Sequence, residues 1–226
     1  MLKMFRDGKD VHGESASIIL KKPIEKVTKE ERKRSKARTF GYLYGMYAKK
    51  FVLYALEKFG VAITLEEAQS DRNGFFNTFT RLLDWHDEVR RKVASAGYVK
   101  SPLGRRRRLP HIYSMDRDLK NQAERQAINS PSQATASDFI LLIMYEVEKR
   151  LPASMFRLTG QMHDSFSFEY NPKYETKVCR TIKEVAQVWL TQHVRKTFGA
   201  KVPVPIVIDI EIGTHWSEGK QWVEAT

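Results

Sequence analysis

The 226-residue sequence contains one cysteine, Cys179, and no long apolar run. A single thiol cannot close a disulfide within the chain, and Cys179 lies in a helical pattern with Val178, Ile182 and Val185, where cysteine acts as a small core residue. The longest apolar run, Phe139–Tyr145, is far shorter than the ~20 residues that a transmembrane helix requires. The N-terminal residues also lack the apolar stretch of a signal peptide. We therefore expect no membrane segment and a reducing compartment.

Acidic side chains are few relative to basic ones. The chain has 27 acidic and 39 basic residues, a formal net charge of +12. Such a surplus favours a polyanionic partner, because neutralising phosphates releases their counterions, and nucleic acid is the first expectation. At 42% hydrophobic residues, the chain can still bury a substantial core in one or two domains.

Helical patterns dominate the first half of the sequence after a short, mixed opening stretch. Thr28 and Glu31 form a capping-box pattern that begins a helix extending to about Tyr47. Further helical patterns cover about 51–59 and a long run from 65 that ends at Gly97. Residues Tyr98–Leu109 then predict a hairpin or loop with a basic tip.

The second half combines helices with strands. A helix from about Arg117 is expected to break at Pro131, with Ser130 as the cap of a new helix. The period then changes to two, which predicts a β-hairpin that bends at His163-Asp164. A helix over Tyr174–Phe198 and a strand over Ile206–Ile212 follow. Strands after helices indicate an α+β fold. No internal repeat or low-complexity linker is evident, so a helical module inserted on a small sheet fits better than two independently folding domains.

Four side chains on the first strong helix recur every four residues: Arg32, Lys36, Phe40 and Tyr44. They share one broad face, since each step of four residues drifts only ~40° around a helix. Two cations followed by two aromatics complement the phosphates and then the sugar and base of a nucleoside triphosphate. An ordinary amphipathic helix would give the same spacing. However, Gly41 and the glycine at 45 each cost about 1 kcal/mol in a helix interior, which favours a ligand approaching closely.

The segment Arg32-x3-Lys36-x3-Phe40-Gly-x2-Tyr44-Gly45 resembles the fingers-helix motif of A-family DNA polymerases, the bacterial DNA polymerase I type. The resemblance implies that Arg32 and Lys36 bind the incoming dNTP, with Lys36 also catalytic, and that Phe40 contacts the sugar. It implies that Tyr44 and Gly45 shape the site for the nascent base pair.

A second match precedes this helix. The segment from Gly8 to His12 is similar to the family's Asp-Ile-His segment, which implies that His12 touches the triphosphate. By itself, a histidine after a charged loop would be an ordinary surface residue. Thr39 departs from the family pattern, which usually has asparagine there.

The hairpin segment from Gln161 to Ser165 resembles the family's palm motif. The resemblance implies that Asp164 is a catalytic carboxylate and metal ligand, that His163 contacts the primer end, and that Gln161 also binds DNA. Two Mg²⁺ ions in such a site stabilise the attacking and leaving oxygens and require oxygen ligands. An aspartate is also simply a good turn residue. Ser165 stands where the family commonly has glutamate.

Two further segments match the family in order and spacing. The helix pair carrying Arg125, Asn129 and Gln133 is implied to contact template and primer, although Gln133 also suits a capping box with Ser130 as its cap. The segment Gly104-Arg105-Arg106-Arg107-Arg108-Leu109-Pro110 matches the family's arginine-rich fingers segment. Phosphate attraction by Arg105 and Arg106 and a solvated charge run are compatible interpretations.

The resemblance spans nearly all of residues 5 to 220 and implies a right-hand architecture. It assigns residues 1–24 to a lead-in, 25–120 to a helical fingers subdomain and 121–226 to a palm with an antiparallel sheet. The family's other palm carboxylate belongs to an Asp-Tyr-Ser-type strand upstream of the His12 segment, and this sequence does not contain it. Asp7, Asp10 and Glu14 do not lie in an apolar strand and are not assigned that role. The thumb and exonuclease are not represented either.

Three hypotheses follow. The leading one is a template-directed DNA polymerase encoded in two parts, as phage genomes could carry, whose N-terminal fragment supplies the missing carboxylate and thumb in trans. It would act on primer–template DNA and dNTPs in the cytoplasm of a bacterial or phage-infected cell. The second is a catalytically inactive DNA-binding remnant or accessory protein. The third is a shortened form of an ordinary polymerase, which has the same fold.

Overall fold

The computed structural model describes residues 1–215 and 218–224, which contain nine α-helices and six short β-strands. The helices are α1 (Leu2–Arg6), α2 (Val11–Leu20), α3 (Lys29–Leu43), α4 (Ala48–Phe59), α5 (Leu65–Thr78), α6 (Arg81–Ala96), α7 (Arg117–Arg150), α8 (Glu175–Glu184) and α9 (Leu190–Phe198). The strands are β1 (Tyr98–Lys100), β2 (Arg106–Arg108), β3 (Phe156–Met162), β4 (Ser165–Tyr170), β5 (Glu211–Ile212) and β6 (Lys220–Gln221). They form antiparallel pairs, β1 with β2, β3 with β4 and β5 with β6. This confirms the α+β class, and none of the described helices is long and apolar enough to cross a membrane.

The chain divides into two units, which are described separately. The first comprises Met1–Lys100 with Arg106–Pro131, and the second comprises Ser101–Arg105 with Ser132–Thr226. The predicted boundary between fingers and palm at residue 120 stays a prediction. The last two residues of the predicted palm, 225 and 226, lie outside the described part of the chain.

Capping boxes fix the start of two helices in the first unit. Thr28 accepts the Glu31 N–H at the beginning of α3, and Thr64 accepts the Glu67 N–H at the beginning of α5. In each box the glutamate accepts the backbone N–H of the cap residue in return. The predicted box at Thr28 is therefore confirmed.

Several predicted boundaries in the first unit are wrong. The opening stretch contains two helices, α1 and α2, and α3 ends at Leu43 rather than near Tyr47. The long pattern from 65 is divided between α5 and α6 at Phe79. Gly97, with φ +73°, ends α6 as predicted, and β1 and β2 form the expected hairpin.

The predicted helix break at Pro131 does not occur. Helix α7 continues through this residue from Arg117 to Arg150. Ser130 is not a cap, because its hydroxyl donates to the carbonyl of Gln126 at 2.5 Å within the helix. The capping interpretation of Gln133 is wrong for the same reason, and Gln133 is exposed on the helix surface.

The second unit surrounds one apolar cluster. The buried members of the cluster are Ile143, Val147, Leu151, Phe156, Val178, Cys179, Ile182, Val185, Ala186, Leu190, Val194, Ile210 and Trp222. The predicted core role of Cys179 fits this placement, and burial raises the pKa of its thiol to about 11. The helix predicted over Tyr174–Phe198 forms as α8 and α9 joined by a π-helical turn, and Gly199 ends it with φ +65°.

Most of the predicted C-terminal strand pairs with no strand in the described part of the chain. Within the described residues, only Glu211–Ile212 of the expected Ile206–Ile212 strand enters a sheet. Upstream, the side chains still alternate, with Ile206 and Ile208 half-buried against the cluster and Val207 77% exposed. The period-two pattern therefore predicted the burial correctly but not the hydrogen bonding.

Candidate functional site

The first group of predicted site residues lies where α2 packs against α3. Asp10 is the N-cap of α2, and its carboxylate accepts the backbone N–H of His12 at 3.2 Å. The same carboxylate accepts two hydrogen bonds from Arg32 on α3, from Nε at 2.6 Å and from Nη2 at 3.1 Å. This bidentate pair lowers the pKa of Asp10 and raises that of Arg32. Arg32 is thus held in place by Asp10, a residue to which the sequence analysis assigned no role.

His12 and Phe40 meet across the same pair of helices. Their ring centroids are 5.9 Å apart, and Phe40 is 40% exposed. Burial is the main cause that lowers the pKa of His12, and the charges of Arg32 and Lys36 lower it further. The nearby Asp10 charge opposes this shift only in part, so the surroundings favour the neutral imidazole. Its Nδ1 is buried without a hydrogen-bond partner among the described residues. Lys36 itself is exposed.

The two glycines of the motif have a structural explanation within the chain. Gly45 lies beyond the end of α3, with φ +77°, and its N–H donates to the Tyr42 carbonyl at 3.0 Å. The Met46 N–H donates to the Gly41 carbonyl at 3.1 Å, which completes a Schellman cap. A Cβ on residue 45 would lie 2.8 Å from Cδ1 of Ile128. Gly41 lies inside α3, and a Cβ there would lie 2.8 Å from Cδ2 of Phe51. The premise that both glycines lie inside a helix is therefore wrong, and packing within the chain explains both without a ligand.

Tyr44 is the C-cap residue of α3 and is half-buried. It lies one residue before the glycine whose backbone turns the chain away from the helix. The two cations and then the two aromatic residues of the motif therefore follow one another along α3 to its C-terminal end.

The second group of predicted residues lies on the β3–β4 hairpin. Met162 pairs with Ser165, so His163 and Asp164 are the two turn residues, as predicted. His163 has φ +56°, a left-handed conformation that is uncommon for a residue with a Cβ. The Ser165 hydroxyl donates to the Met162 carbonyl at 2.9 Å and closes the turn. All residues from Gln161 to Ser165 are exposed.

Asp164 fits the role of one hard oxygen ligand for a divalent ion. The described residues, however, contain no group of three or more His, Cys, Asp or Glu side chains that could hold a metal. A Mg²⁺ ion bound to this chain by itself would depend on water for its other ligands. Among the described residues, the hairpin therefore supplies one candidate oxygen ligand, and the role of Asp164 as a metal ligand stays a prediction.

The predicted template and primer contacts lie on α7. In the first unit, Arg125 and Asn129 are partly exposed, and Oδ1 of Asn129 is buried without a hydrogen-bond partner among the described residues. In the second unit, Gln133 is exposed. These positions are compatible with contact to a ligand, and their roles stay predictions.

The predicted basic tip is only partly correct, because Arg106–Arg108 form strand β2 and Arg105 directly precedes it. Arg105 and Arg106 also differ in their surroundings. In the second unit, Arg105 forms a salt bridge with Asp138, whose carboxylate is buried and also accepts the Ser101 hydroxyl at 3.2 Å. In the first unit, the Arg106 guanidinium lies 5.1 Å from the ring centre of Tyr98. Both arginines are exposed, but Arg105 has a structural partner that sequence reasoning missed.

Sequence reasoning did not assign Asp10, the partner of Arg32 in the first unit, or Asp138, the partner of Arg105 in the second unit. Asp10 had a weak signal, since aspartate is a favoured helix N-cap, but the helix that it caps, α2, was not predicted. Asp138 had none, because its partner Arg105 lies 33 positions earlier in the sequence and in a loop.

Comparison with known proteins identifies the family. The model of DNA polymerase family A matches residues 1–218. The chain is 32% identical over 224 residues to DNA polymerase I of Aquifex aeolicus, covering 96% of this chain and 35% of that protein. It is 30% identical over 221 residues to the thermostable DNA polymerase I of Thermus aquaticus, covering 98% of this chain and 25% of that protein.

A solved structure agrees with these matches. The polymerase domain of Pol1 from M. smegmatis, in complex with DNA primer-template and dNTP, superposes with a TM-score of 0.75 at 29% identity, covering 91% of this chain and 34% of that one. The chain thus spans about a third or less of the length of these relatives. With a match over almost its whole length, the chain belongs to DNA polymerase family A.

Proposed function

We propose that this chain is the nucleotide-binding and primer–template-binding part of a DNA-directed DNA polymerase, which adds dNTPs to a primer 3′ end. The observation that carries the proposal is the contact between α2 and α3. This contact brings His12 on α2 to Phe40 on α3. The exposed cations Arg32 and Lys36 also lie on α3.

The chemistry of this surface suits a triphosphate. Arg32 and Lys36 supply charge-assisted hydrogen bonds to phosphate oxygens, and the half-exposed ring of Phe40 offers apolar surface to the sugar. A neutral His12 can donate one further hydrogen bond without adding charge. Tyr44 lies at the helix end beyond them, where a nascent base pair would meet an aromatic side chain. The relative from M. smegmatis, which was solved with DNA primer-template and dNTP, supports this assignment.

Asp164 is the proposed catalytic carboxylate. Magnesium, when bound, would stabilise the attacking 3′-oxygen and the leaving pyrophosphate, and Asp164 is the residue of this chain that would hold it. Asp164 is exposed on a two-residue turn, where a ligand can approach it. Gln161 and His163 on the same hairpin are proposed to contact the primer, and Arg125, Asn129, Gln133, Arg105 and Arg106 to contact DNA.

We further propose that catalysis requires polypeptide beyond these 226 residues that provides a second carboxylate. The incomplete oxygen-ligand set around Asp164 supports this. So does the segment Ile206–Ile210, whose side chains alternate as in a strand although no described strand pairs with residues 206–209. A strand from further polypeptide could pair with this segment. We propose that a second chain supplies this strand, as in a split polymerase.

Primer extension tests the catalytic proposal. The chain is mixed with an N-terminal fragment of a family A polymerase, and incorporation of dNTPs into a labelled primer is measured. Activity should appear only in the mixture, and Asp164→Ala should abolish it. A mixture that stays inactive while both parts remain folded would contradict the claim that a partner completes the active site, and it would favour a DNA-binding remnant.

Binding of dNTP to the chain alone separates the two functions. Lys36→Ala should weaken triphosphate binding about tenfold or more, since it removes a cation that bonds phosphate directly. Lys58→Ala, an exposed lysine on α4, removes the same charge elsewhere and is the matched control. Equal binding by wild type and both variants would indicate a remnant that retains only general affinity for polyanions.

A further inference from the structure

Asp10 is held on two sides at once. On one side it caps α2, accepting the His12 N–H, and a backbone hydrogen bond from Gly13 also lowers its pKa. On the other side it accepts the two hydrogen bonds from Arg32. The fit to α2 is close, because a Cβ on Gly13 would lie 2.7 Å from Oδ2 of Asp10. The carboxylate is therefore fixed to the start of α2 and not merely near Arg32.

The pairing uses only one edge of the Arg32 guanidinium. Nε and Nη2 point to Asp10, which leaves the edge formed by Nη1 and the second N–H of Nη2. The Arg32 side chain is 49% exposed, so the remaining edge is accessible to a ligand. That edge is itself a fork that matches two oxygens of a phosphate.

We propose that Asp10 is a positioning residue of the nucleotide site, an inference that rests on the proposed function. By holding the first edge of Arg32, it presents the second edge to the triphosphate beside His12. A free arginine side chain loses rotamer entropy when it binds a ligand, and an arginine already fixed by Asp10 has lost it before the nucleotide arrives. If Asp10 instead competed with phosphate for Arg32, its removal would tighten binding.

The test is Asp10→Asn, because asparagine caps a helix as well as aspartate does. The variant keeps the side-chain size and the cap of α2 but cannot accept both hydrogen bonds from Arg32. Titration calorimetry of the 226-residue chain with dATP should give a dissociation constant raised about tenfold. Glu14→Gln removes a nearby negative charge, whose partner is Lys9 at 3.1 Å, and should leave binding unchanged.

A double-mutant cycle distinguishes positioning from a merely structural effect. If Asp10 acts through Arg32, Asp10→Asn should have no further effect on dATP binding once Arg32 is alanine. Circular dichroism and thermal unfolding verify that α2 is retained in each variant.

Two outcomes would overturn the inference. Unchanged or tighter dATP binding by Asp10→Asn, while Lys36→Ala weakens it, would refute the role of Asp10 and leave the proposed nucleotide site intact. Equal binding by wild type and Lys36→Ala would refute the nucleotide site itself, and the role of Asp10 with it.

Discussion

The ring of Phe51 lies directly against the backbone of Gly41. A Cβ built on residue 41 would lie 2.8 Å from Cδ2 of the ring, and Phe51 is fully buried among the aromatic side chains of the first unit. Helix α4 can approach α3 this closely only because position 41 carries no side chain.

Replacing Gly41 by alanine should therefore destabilise the fold, although alanine favours a helix by about 1 kcal/mol over glycine. The added methyl group would displace a packed ring, and overpacking of this kind costs about 1–3 kcal/mol. The midpoint of urea unfolding measures the effect.

Gly74 in α5 provides the matched control for that substitution. Its Cβ would lie 3.4 Å from Cγ2 of Ile19, an ordinary contact. Gly74→Ala should stabilise the protein by up to about 1 kcal/mol. A Gly41→Ala variant that is as stable as Gly74→Ala would disprove the packing explanation.

The buried charge cluster around Asp71 gives a second prediction. Asp71 accepts hydrogen bonds from Arg34 at 2.8 Å and from Arg38 at 2.6 Å, and Arg38 is buried. Asp71→Ala would leave the Arg38 charge uncompensated, so a loss of about 3–5 kcal/mol in unfolding free energy is expected. Denaturant unfolding should show it, whereas Asp87→Ala, an exposed aspartate on α6, should change stability by less than about 1 kcal/mol.

Asp164 should matter for function and not for folding. Its side chain is exposed on the β3–β4 turn, and substitutions at such positions change stability by about 0.5 kcal/mol or less. Asp164→Ala should therefore unfold at the wild-type temperature while primer extension in the reconstituted mixture is lost. A large fall in melting temperature would mean that the lost activity reports misfolding instead of chemistry.

Acid should weaken the start of α3. Hydrogen bonds from Lys22 and from the Thr28 backbone lower the pKa of Glu31 to about 2, and the Arg32 pair lowers that of Asp10. A carboxyl whose pKa is lower in the folded state stabilises above its unfolded value, and this contribution disappears as the pH falls through the folded value. Melting temperature should thus decline from about pH 4.5 toward pH 2.

Glu31→Gln is the variant that checks this assignment. It lacks the titrating group, so its melting temperature should be lower than that of wild type near pH 6, and the difference should shrink in acid. A constant difference across the pH range would show that Glu31 acts through its shape alone.

Features set by neighbouring residues were predictable from the sequence. The Thr28 capping box, the glycine caps at 97 and 199 and the His163-Asp164 turn each depend on a few adjacent positions. The four-residue spacing likewise predicted that Arg32, Lys36 and Phe40 lie on one helix.

Features that depend on distant contacts were not predictable. Proline within a helix costs about 3 kcal/mol, so a break at Pro131 was the reasonable expectation. Helix α7 tolerates it because packed apolar side chains hold the helix on each side, such as Ile128 in one unit and Val147 in the other. The Asp10–Arg32 pair spans 22 positions, so no local sequence pattern predicts it.

Residues 206–209, which pair with no described strand, also affect how copies of this chain would interact with one another. An open strand with exposed apolar side chains is a template for edge-to-edge aggregation. Here Pro203 and Pro205 remove backbone N–H donors just upstream, and Asp209 puts a charge on the exposed face next to Val207. These residues shorten the stretch on which a second copy could pair. The segment therefore favours pairing with one short strand over edge-to-edge aggregation of many copies.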